Sequence, residues 1–221
     1  MDYKIVEVKE NILLDNDLKA KKLRQYLKEK HIFMINVMAS PGSGKTTLLI
    51  RLINQLKNKY KIGVMEADID GDVDAKKISE ITGIKTIQIH TSGACHLTAQ
   101  MVEDAIRQFD IDGLNLLFLE NVGNLVCPAE FDTGANINMM LLSVPEGDDK
   151  PLKYPLVFEV SQITVITKMD TQLAFDFDIT KCEENIRKRN KNIKIFPTSA
   201  IENQGIDELA NYIDNLIICQ E

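Results

Sequence analysis

The chain has 221 residues, 44% of them hydrophobic, and a formal net charge of −7 at pH 7. This composition suits one α/β domain over residues 1–221, with an accessory helical segment at residues 1–31. The acidic balance argues against a nucleic-acid partner, which needs a basic face. No apolar run approaches the roughly 20 residues that cross a bilayer, so we expect a cytoplasmic protein with no membrane partner.

Short β-rich runs alternate with amphipathic helical patterns along the chain, which is typical of βα units that build a parallel sheet. Before the first such run, residues 17–30 predict an accessory helix with an apolar stripe through Leu18, Leu23 and Leu27. Ligands of such sheets bind beyond the carboxyl ends of the strands. Seven strands are predicted, at residues 33–38, 62–66, 86–90, 114–120, 139–144, 163–167 and 193–196.

The first predicted strand is followed directly by residues 39–47, Ala-Ser-Pro-Gly-Ser-Gly-Lys-Thr-Thr. Glycines in this run let successive backbone N–H groups point at nucleotide phosphates where a helix starts. The strict motif begins with glycine, but Ala39 is small enough for the turn. We therefore predict an α/β P-loop NTPase with three layers and a mostly parallel seven-stranded sheet that has helices on both faces. The predicted phosphate-binding residues are Gly42, Ser43, Gly44, Lys45, Thr46 and Thr47.

Two carboxylates follow predicted strands and are expected near the terminal phosphate. Asp68 follows the second strand and Glu120 ends the strongly apolar fourth strand, so both can reach Mg²⁺ together with the Thr46 hydroxyl. Gly123 can turn its N–H toward a γ-phosphate, which makes residues 120–123 a candidate switch. With Lys45 on the β- and γ-phosphate oxygens, the predicted catalytic residues are Lys45, Asp68, Glu120 and Gly123.

The sequence also indicates slow turnover. Asn124 stands after Gly123 where a water-orienting glutamine would be expected, and no arginine finger is evident. Asp70 and Asp72 are interpreted as a solvated acidic turn before a helix that begins near Asp74.

Cys95 and His96 are adjacent, after the third strand and before a helix predicted over residues 97–109. Cys127 lies seven residues beyond Glu120. Thiolate and imidazole ligands suit Zn²⁺ or Ni²⁺ rather than Mg²⁺. From spacing alone, a buried thiol and a helix-capping histidine are the more ordinary explanation.

Two short elements near the end of the chain indicate guanine. Residues 167–170, Thr-Lys-Met-Asp, resemble the Asn/Thr-Lys-x-Asp element of GTPases, whose carboxylate accepts hydrogen bonds from guanine N1 and N2. Residues 198–200, Thr-Ser-Ala, match the loop whose backbone N–H contacts guanine O6. Threonine in place of the commoner asparagine leaves a side-chain tether to the phosphate loop in question. The predicted residues are Thr167, Lys168, Asp170, Ser199 and Ala200.

The run at residues 120–129, Glu-Asn-Val-Gly-Asn-Leu-Val-Cys-Pro-Ala, is highly specific. With Cys95-His96 before it and residues 146–155 after it, it resembles the HypB-type nickel-insertion GTPases of hydrogenase maturation. The resemblance covers nearly the whole chain from Ile32 onward. It implies GTP hydrolysis to GDP and phosphate, with GTP or GDP, Mg²⁺ and either Ni²⁺ or Zn²⁺ as cofactors. It also implies partnership with a hydrogenase large-subunit precursor and other maturation proteins.

The resemblance further implies a homodimer, promoted by GTP, that binds Ni²⁺ or Zn²⁺ near its interface through Cys95, His96 and Cys127. Three ligands leave a tetrahedral ion incomplete, so a water or a thiolate of the second subunit must complete the shell. Lys153 is implied to reach the partner's nucleotide, although a solvated loop lysine is an equal alternative. Because Glu120 and Cys127 share one short segment, we hypothesise that GTP gates metal affinity.

Three alternatives remain open from the sequence. A urease-type nickel GTPase would share the phosphate loop, but its metal pair is expected as Cys-Pro-His rather than adjacent Cys-His. A small-molecule kinase would leave residues 167–170 unexplained. A metal-binding switch would use hydrolysis only to reset itself.

Overall fold

The computed structural model describes residues 8–69 and 71–219, with side chains from residue 11 onward. Within them the seven strands form one sheet in the order β3-β2-β4-β1-β5-β6-β7, and every pairing is parallel. The strands are β1 Phe33–Ala39, β2 Ile62–Asp68, β3 Lys85–His90, β4 Leu116–Gly123, β5 Ile137–Ser143, β6 Ile163–Thr167 and β7 Lys194–Pro197.

Helices cover both faces of this sheet, because alternate strand residues point to opposite sides. On β1, Ile35 and Val37 pack in the cluster that contains α2 and α9, whereas Met34 packs in the cluster of α1 and α4. The helices are α1 Val8–Glu29, α2 Lys45–Leu56, α3 Val73–Thr82, α4 Ala99–Gln108, α5 Cys127–Glu130, α6 Lys150–Lys153, α7 Pro155–Glu159, α8 Ile179–Arg189 and α9 Ile206–Ile218, with 3₁₀ turns at Val144–Glu146 and Met169–Ala174.

The predicted three-layer α/β architecture is confirmed, and all seven predicted strands are present with ends displaced by three residues at most. The sheet is parallel throughout rather than mostly parallel. The helix predicted over residues 97–109 begins at Ala99, because the Thr98 hydroxyl caps it by accepting the Met101 N–H at 3.3 Å.

Helix α1 differs more from its prediction. It begins at Val8 rather than at residue 17, and Leu18, which was assigned to its apolar stripe, is 63% exposed. The buried apolar residues of α1 are Ala20, Leu23 and Leu27. The early turns were missed because Ile12 and Leu14 are exposed, so these turns carry no continuous core-facing stripe. None of the described helices is long and apolar enough to cross a membrane.

Candidate functional site

The phosphate loop joins β1 to α2 and adopts the backbone expected of it. Gly42 has φ +74° and Gly44 has φ +94°, a left-handed region in which glycine is favoured. Lys45 opens α2, Thr46 is buried in its first turn, and Thr47 is exposed. The Ser43 side chain is buried. The loop therefore presents a glycine-rich backbone and one lysine at the N-terminus of a helix, which suits an anion.

The loop is tethered to the strand end that carries the predicted base-recognition element. The buried Thr167 hydroxyl donates to the Ser43 carbonyl at 2.7 Å, and Lys168 Nζ donates to the Gly42 carbonyl at 2.7 Å. The Thr167 side chain therefore does tether this strand end to the phosphate loop, although threonine stands there in place of the commoner asparagine.

The two guanine-type elements lie side by side. The buried Ser199 hydroxyl donates to Asp170 Oδ1 at 2.6 Å, and the Met169 N–H donates to the Thr198 carbonyl at 3.1 Å. The Ala200 carbonyl accepts from Arg51 Nε at 2.8 Å. The Asp170 carboxylate is oriented by Ser199 while the residue itself stays exposed, so it is available to a ligand.

Three carboxylates, of the buried Glu66 and Glu120 and the half-buried Asp74, gather behind the phosphate loop. Carboxylate oxygens of Glu66, Asp74 and Glu120 all lie within 4.8 Å of one another, and the Thr46 hydroxyl donates to Glu120 Oε1 at 3.2 Å. Burial raises the pKa of Glu120 to about 8 and that of Glu66 to about 7, with Lys45 opposing both shifts.

One oxygen of each glutamate, Glu66 Oε2 and Glu120 Oε2, is buried without a hydrogen-bond partner among the described residues. Buried oxygens in this condition are costly unless a cation or a proton satisfies them. Hard oxygen ligands next to a phosphate loop fit Mg²⁺.

Asp68, the predicted magnesium ligand at the end of β2, is not one of these three carboxylates. It is exposed, accepts the Gly71 N–H at 3.0 Å, and lines the same cavity as Lys45 and Asp74. Its role as a magnesium ligand stays a prediction. The sequence did not single out Glu66 and Asp74 as members of this group. An acid inside the otherwise apolar run of β2 was the available signal for Glu66, because such a buried charge requires a partner.

The remaining acidic residues of this loop separate into two cases. Asp72 lies on the surface and pairs with Lys76 at 2.6 Å, as expected for a solvated turn, and α3 begins at Val73. Asp70 lies outside the described residues.

Gly123 lies directly against the phosphate loop. It pairs with Ala39 at the carboxyl ends of β4 and β1, and a Cβ added to it would lie 2.9 Å from Pro41 Cγ. A larger residue would push the loop away, so the glycine permits this approach. The end of β4 therefore lies closely packed against the phosphate loop.

The three predicted soft ligands converge although they come from separate segments. Ligand atoms of Cys95, His96 and Cys127 lie within 4.8 Å of one another, with the two sulfurs 2.9 Å apart and Cys95 Sγ 3.7 Å from His96 Nδ1. The His96 ring stacks on Phe131 with ring centroids 3.8 Å apart. The geometry favours a chelate over the buried thiol and capping histidine that spacing alone suggested.

Protonation at this cluster matters because a metal needs thiolates and a neutral imidazole. The hydrogen bond with Cys127, followed by burial, raises the pKa of Cys95. Burial lowers the pKa of His96, with Glu130 opposing the shift. Burial thus favours the neutral, ligating form of the His96 imidazole, while the Cys95 thiol must lose a proton to bind.

Asn124 connects the cluster to the end of β4. Its Nδ2 donates to the Cys95 carbonyl at 3.2 Å, and its Oδ1 accepts the Val126 N–H at 3.0 Å, one residue before Cys127. A cavity of about 330 Å³ has Lys45, Asp74, Cys95 and Asn124 in its walls. The phosphate loop and a thiol therefore face the same space.

Three further residues lie away from this space. Lys153, in α6, is exposed and pairs with Asp149 at 2.6 Å. Cys182 is buried, which raises its pKa to about 12, and Cys219 is exposed.

Comparison with known proteins places this geometry in a family. The CobW/HypB/UreG nucleotide-binding domain family matches residues 33–197. The hydrogenase/urease maturation factor HypB of Helicobacter hepaticus is 41% identical over 97% of this chain and 89% of its own length.

Two crystal structures share the fold. HypB from Helicobacter pylori in complex with nickel has TM-score 0.87 and 36% identity over 92% of this chain and 95% of that one. Hydrogenase maturation factor HypB from Archaeoglobus fulgidus has TM-score 0.86 and 34% identity, covering 93% of this chain and all of that one, 100%. The chain therefore belongs to the HypB family of CobW/HypB/UreG nucleotide-binding proteins.

Proposed function

We propose that this protein is a GTP-hydrolysing metallochaperone that binds Ni²⁺ or Zn²⁺ and assists nickel insertion into [NiFe] hydrogenase precursors. The observation that carries the proposal is the convergence of Cys95, His96 and Cys127 beside the phosphate loop. Thiolate and imidazole are ligands for such ions. The H. pylori relative is a nickel complex, and the H. hepaticus relative is named a maturation factor.

At the phosphate end, the loop N–H groups and Lys45 bind the triphosphate. Thr46 and Glu120 would hold Mg²⁺, with Glu66 and Asp74 next to them. When bound, Mg²⁺ neutralises charge on the β- and γ-phosphates. The Gly123 N–H orients the terminal phosphate. Hydrolysis is slow, because Asn124 stands where a water-orienting glutamine would be expected, and its side-chain amide donates to the Cys95 carbonyl.

At the base end, Asp170 selects guanine over adenine. Its carboxylate is oriented by Ser199, and Lys168 and Thr167 join this edge to the phosphate loop. The alternative of a small-molecule kinase leaves this guanine-type element unexplained, so we favour a GTPase over a kinase.

Nucleotide and metal are coupled through Asn124. If the γ-phosphate draws Gly123 inward, Asn124 moves with it, and its two hydrogen bonds transmit the displacement to both cysteine segments. Such a coupling is reciprocal, so the metal must change nucleotide affinity by the same factor.

The active form is a homodimer that GTP promotes. Three ligands from one chain leave a tetrahedral ion one short, and a water or a thiolate of a second copy completes the shell. Lys153 would reach the partner's nucleotide in that dimer after leaving Asp149. Free thiols are typical of reducing compartments, which supports the proposal of a cytoplasmic protein with hydrogenase precursors and other maturation proteins as its partners.

The test combines sedimentation with metal analysis in GDP and in a non-hydrolysable GTP analogue. We expect the analogue to favour a dimer that retains nickel, and ATP to compete for the nucleotide site at least about tenfold more weakly than GTP, because it lacks the donors for Asp170. Equal binding of ATP and GTP, or a protein that retains no metal in either state, would contradict the proposal.

A urease precursor is a second candidate client. The H. hepaticus relative is named a hydrogenase/urease maturation factor. Adding purified hydrogenase and urease precursors to the nickel-loaded dimer, and measuring nickel transfer to each, separates the two clients.

A further inference from the structure

The N-terminal helix α1 bridges the two segments that carry the soft ligands. Its Asn16 is only 5% exposed and uses both ends of its amide. Asn16 Oδ1 accepts the Ala99 N–H at 2.9 Å, and Nδ2 donates to the Asp132 carbonyl at 2.8 Å. The two partners fix the amide orientation, because one needs an acceptor and the other a donor. Ala99 opens α4 just after His96, and Asp132 lies just beyond α5, which begins at Cys127.

Arg24 holds the second of these segments at further points. Its Nη2 contacts both carboxylate oxygens of Asp132 at 2.6 and 2.7 Å, and its Nε donates to the Ala135 carbonyl at 2.8 Å. Gly134 lets α1 come close, since a Cβ there would lie 3.0 Å from Leu23 Cδ2, and its φ of +82° favours glycine. Backbone, charge and packing therefore hold the segment after Cys127 against one face of α1.

The contacts of Asn16 and Arg24 with Asp132 lie one residue away from Phe131, which stacks on the predicted metal ligand His96. Phe131 precedes Asp132 and stacks on the His96 ring with centroids 3.8 Å apart. The hydrogen bond from Asn16 to the Asp132 carbonyl therefore helps to fix the Phe131 ring on which His96 stacks. The hydrogen bond from Ala99 to Asn16 fixes the backbone three residues after His96. Groups that orient metal ligands in this way affect metal affinity without touching the ion.

We infer that α1 is part of the scaffold of the metal centre, with Asn16 and Arg24 as positioning residues for Cys95, His96 and Cys127. This inference rests on the proposed metal binding. Asn16 sets the spacing of the two ligand-bearing segments, and Arg24 holds the second in place. The phosphate loop receives no hydrogen bond from either side chain, so nucleotide binding does not depend on them.

The experiment measures Ni²⁺ binding by the full chain carrying Asn16→Ala, with Gln25→Ala as a matched control on the exposed side of the same helix. Alanine is the better helix former, so the substitution does not weaken α1 itself. We expect the nickel dissociation constant of Asn16→Ala to rise about tenfold, with altered thiolate-to-nickel charge-transfer absorption. The nickel dissociation constant of Gln25→Ala should be unchanged, and so should the affinity of both variants for a GTP analogue in metal-free buffer.

Asn16→Asp keeps the acceptor for Ala99 but replaces the donor to Asp132 by an oxygen that repels the Asp132 carbonyl. It should therefore also raise the nickel dissociation constant, and it serves as the test if Asn16→Ala does not fold. Nickel affinity and absorption unchanged in both Asn16 variants, in a protein that Cys127→Ala does impair, overturn this inference alone. A nickel affinity that Cys127→Ala leaves intact overturns the proposed function and this inference with it.

Discussion

The phosphate end of the site and the sulfur end differ in what holds them in place. The phosphate loop is one continuous run between a fully buried strand and a helix with a buried face. The sulfur cluster is assembled from two segments whose cysteines are 32 residues apart, and Cys95 is exposed. The residues that form the phosphate loop are consecutive, and Thr167 and Lys168 only tether the loop, whereas the sulfur cluster is brought together by distant contacts through Asn124 and α1. We conclude that the metal centre is the adjustable part of this pair.

Lys45→Met sharpens this comparison with the largest expected effect. Loss of the charge that faces the β- and γ-phosphates should lower GTP turnover by about a hundredfold or more. Nickel affinity without nucleotide should not change, because Lys45 is not among the soft ligands. Single-turnover hydrolysis and nickel titration measure the two effects. A loss of nickel affinity as large as the loss of GTP turnover would show that the phosphate site and the metal site are not independent of each other.

Cys127→Ala changes the sulfur end of the site, as Lys45→Met changes the phosphate end. Removing one of three ligands should weaken nickel binding by at least about tenfold, as losing even an outer-shell partner does. Affinity for a GTP analogue in metal-free buffer should stay the same. Cys219→Ala, which removes another exposed thiol, is the control. An equal effect of both substitutions on a nickel titration would point to nonspecific thiol binding.

The pH dependence of nickel binding tests the sulfur end alone. The pKa of Cys95 is raised above its ordinary value of 9.0, so at pH 7 the thiol holds a proton that nickel must displace. Nickel affinity should therefore rise at least about tenfold per pH unit between pH 6 and 8. Titrations at three pH values would detect this, and a flat profile would remove Cys95 from the ligand set.

The carboxylate cluster gives the smallest effect, on stability. Burial raises the pKa of Glu120 to about 8 and of Glu66 to about 7 from an ordinary value of 4.5, so the folded state binds these protons more tightly than the unfolded state. The free energy of unfolding of the protein without Mg²⁺ and nucleotide should consequently fall as pH rises from about 4.5 to about 8. Denaturant titrations should show this fall in the wild type and a smaller one in Glu66→Gln.

The fold and the phosphate loop could be predicted because their determinants are local: strand patterns, two glycines and a lysine at fixed spacing. The Thr167 tether could not, because it depends on a hydroxyl reaching a carbonyl 124 residues away. Glu66 was missed because the ligand from β2 was expected at the end of the strand, at Asp68, and not within it. The role of α1 was not predictable, because Asn16 forms hydrogen bonds with Ala99 and Asp132, which lie 83 and 116 positions further along the chain.

A nickel titration in GDP and in a non-hydrolysable GTP analogue tests most directly whether the nucleotide state sets metal affinity. We expect the two nickel dissociation constants to differ by at least about fivefold, the low end of typical allosteric coupling. In Asn124→Ala the ratio should approach one, because the link between Cys95 and Val126 is lost. Equal dissociation constants in the wild type would show that nucleotide and metal binding are not coupled.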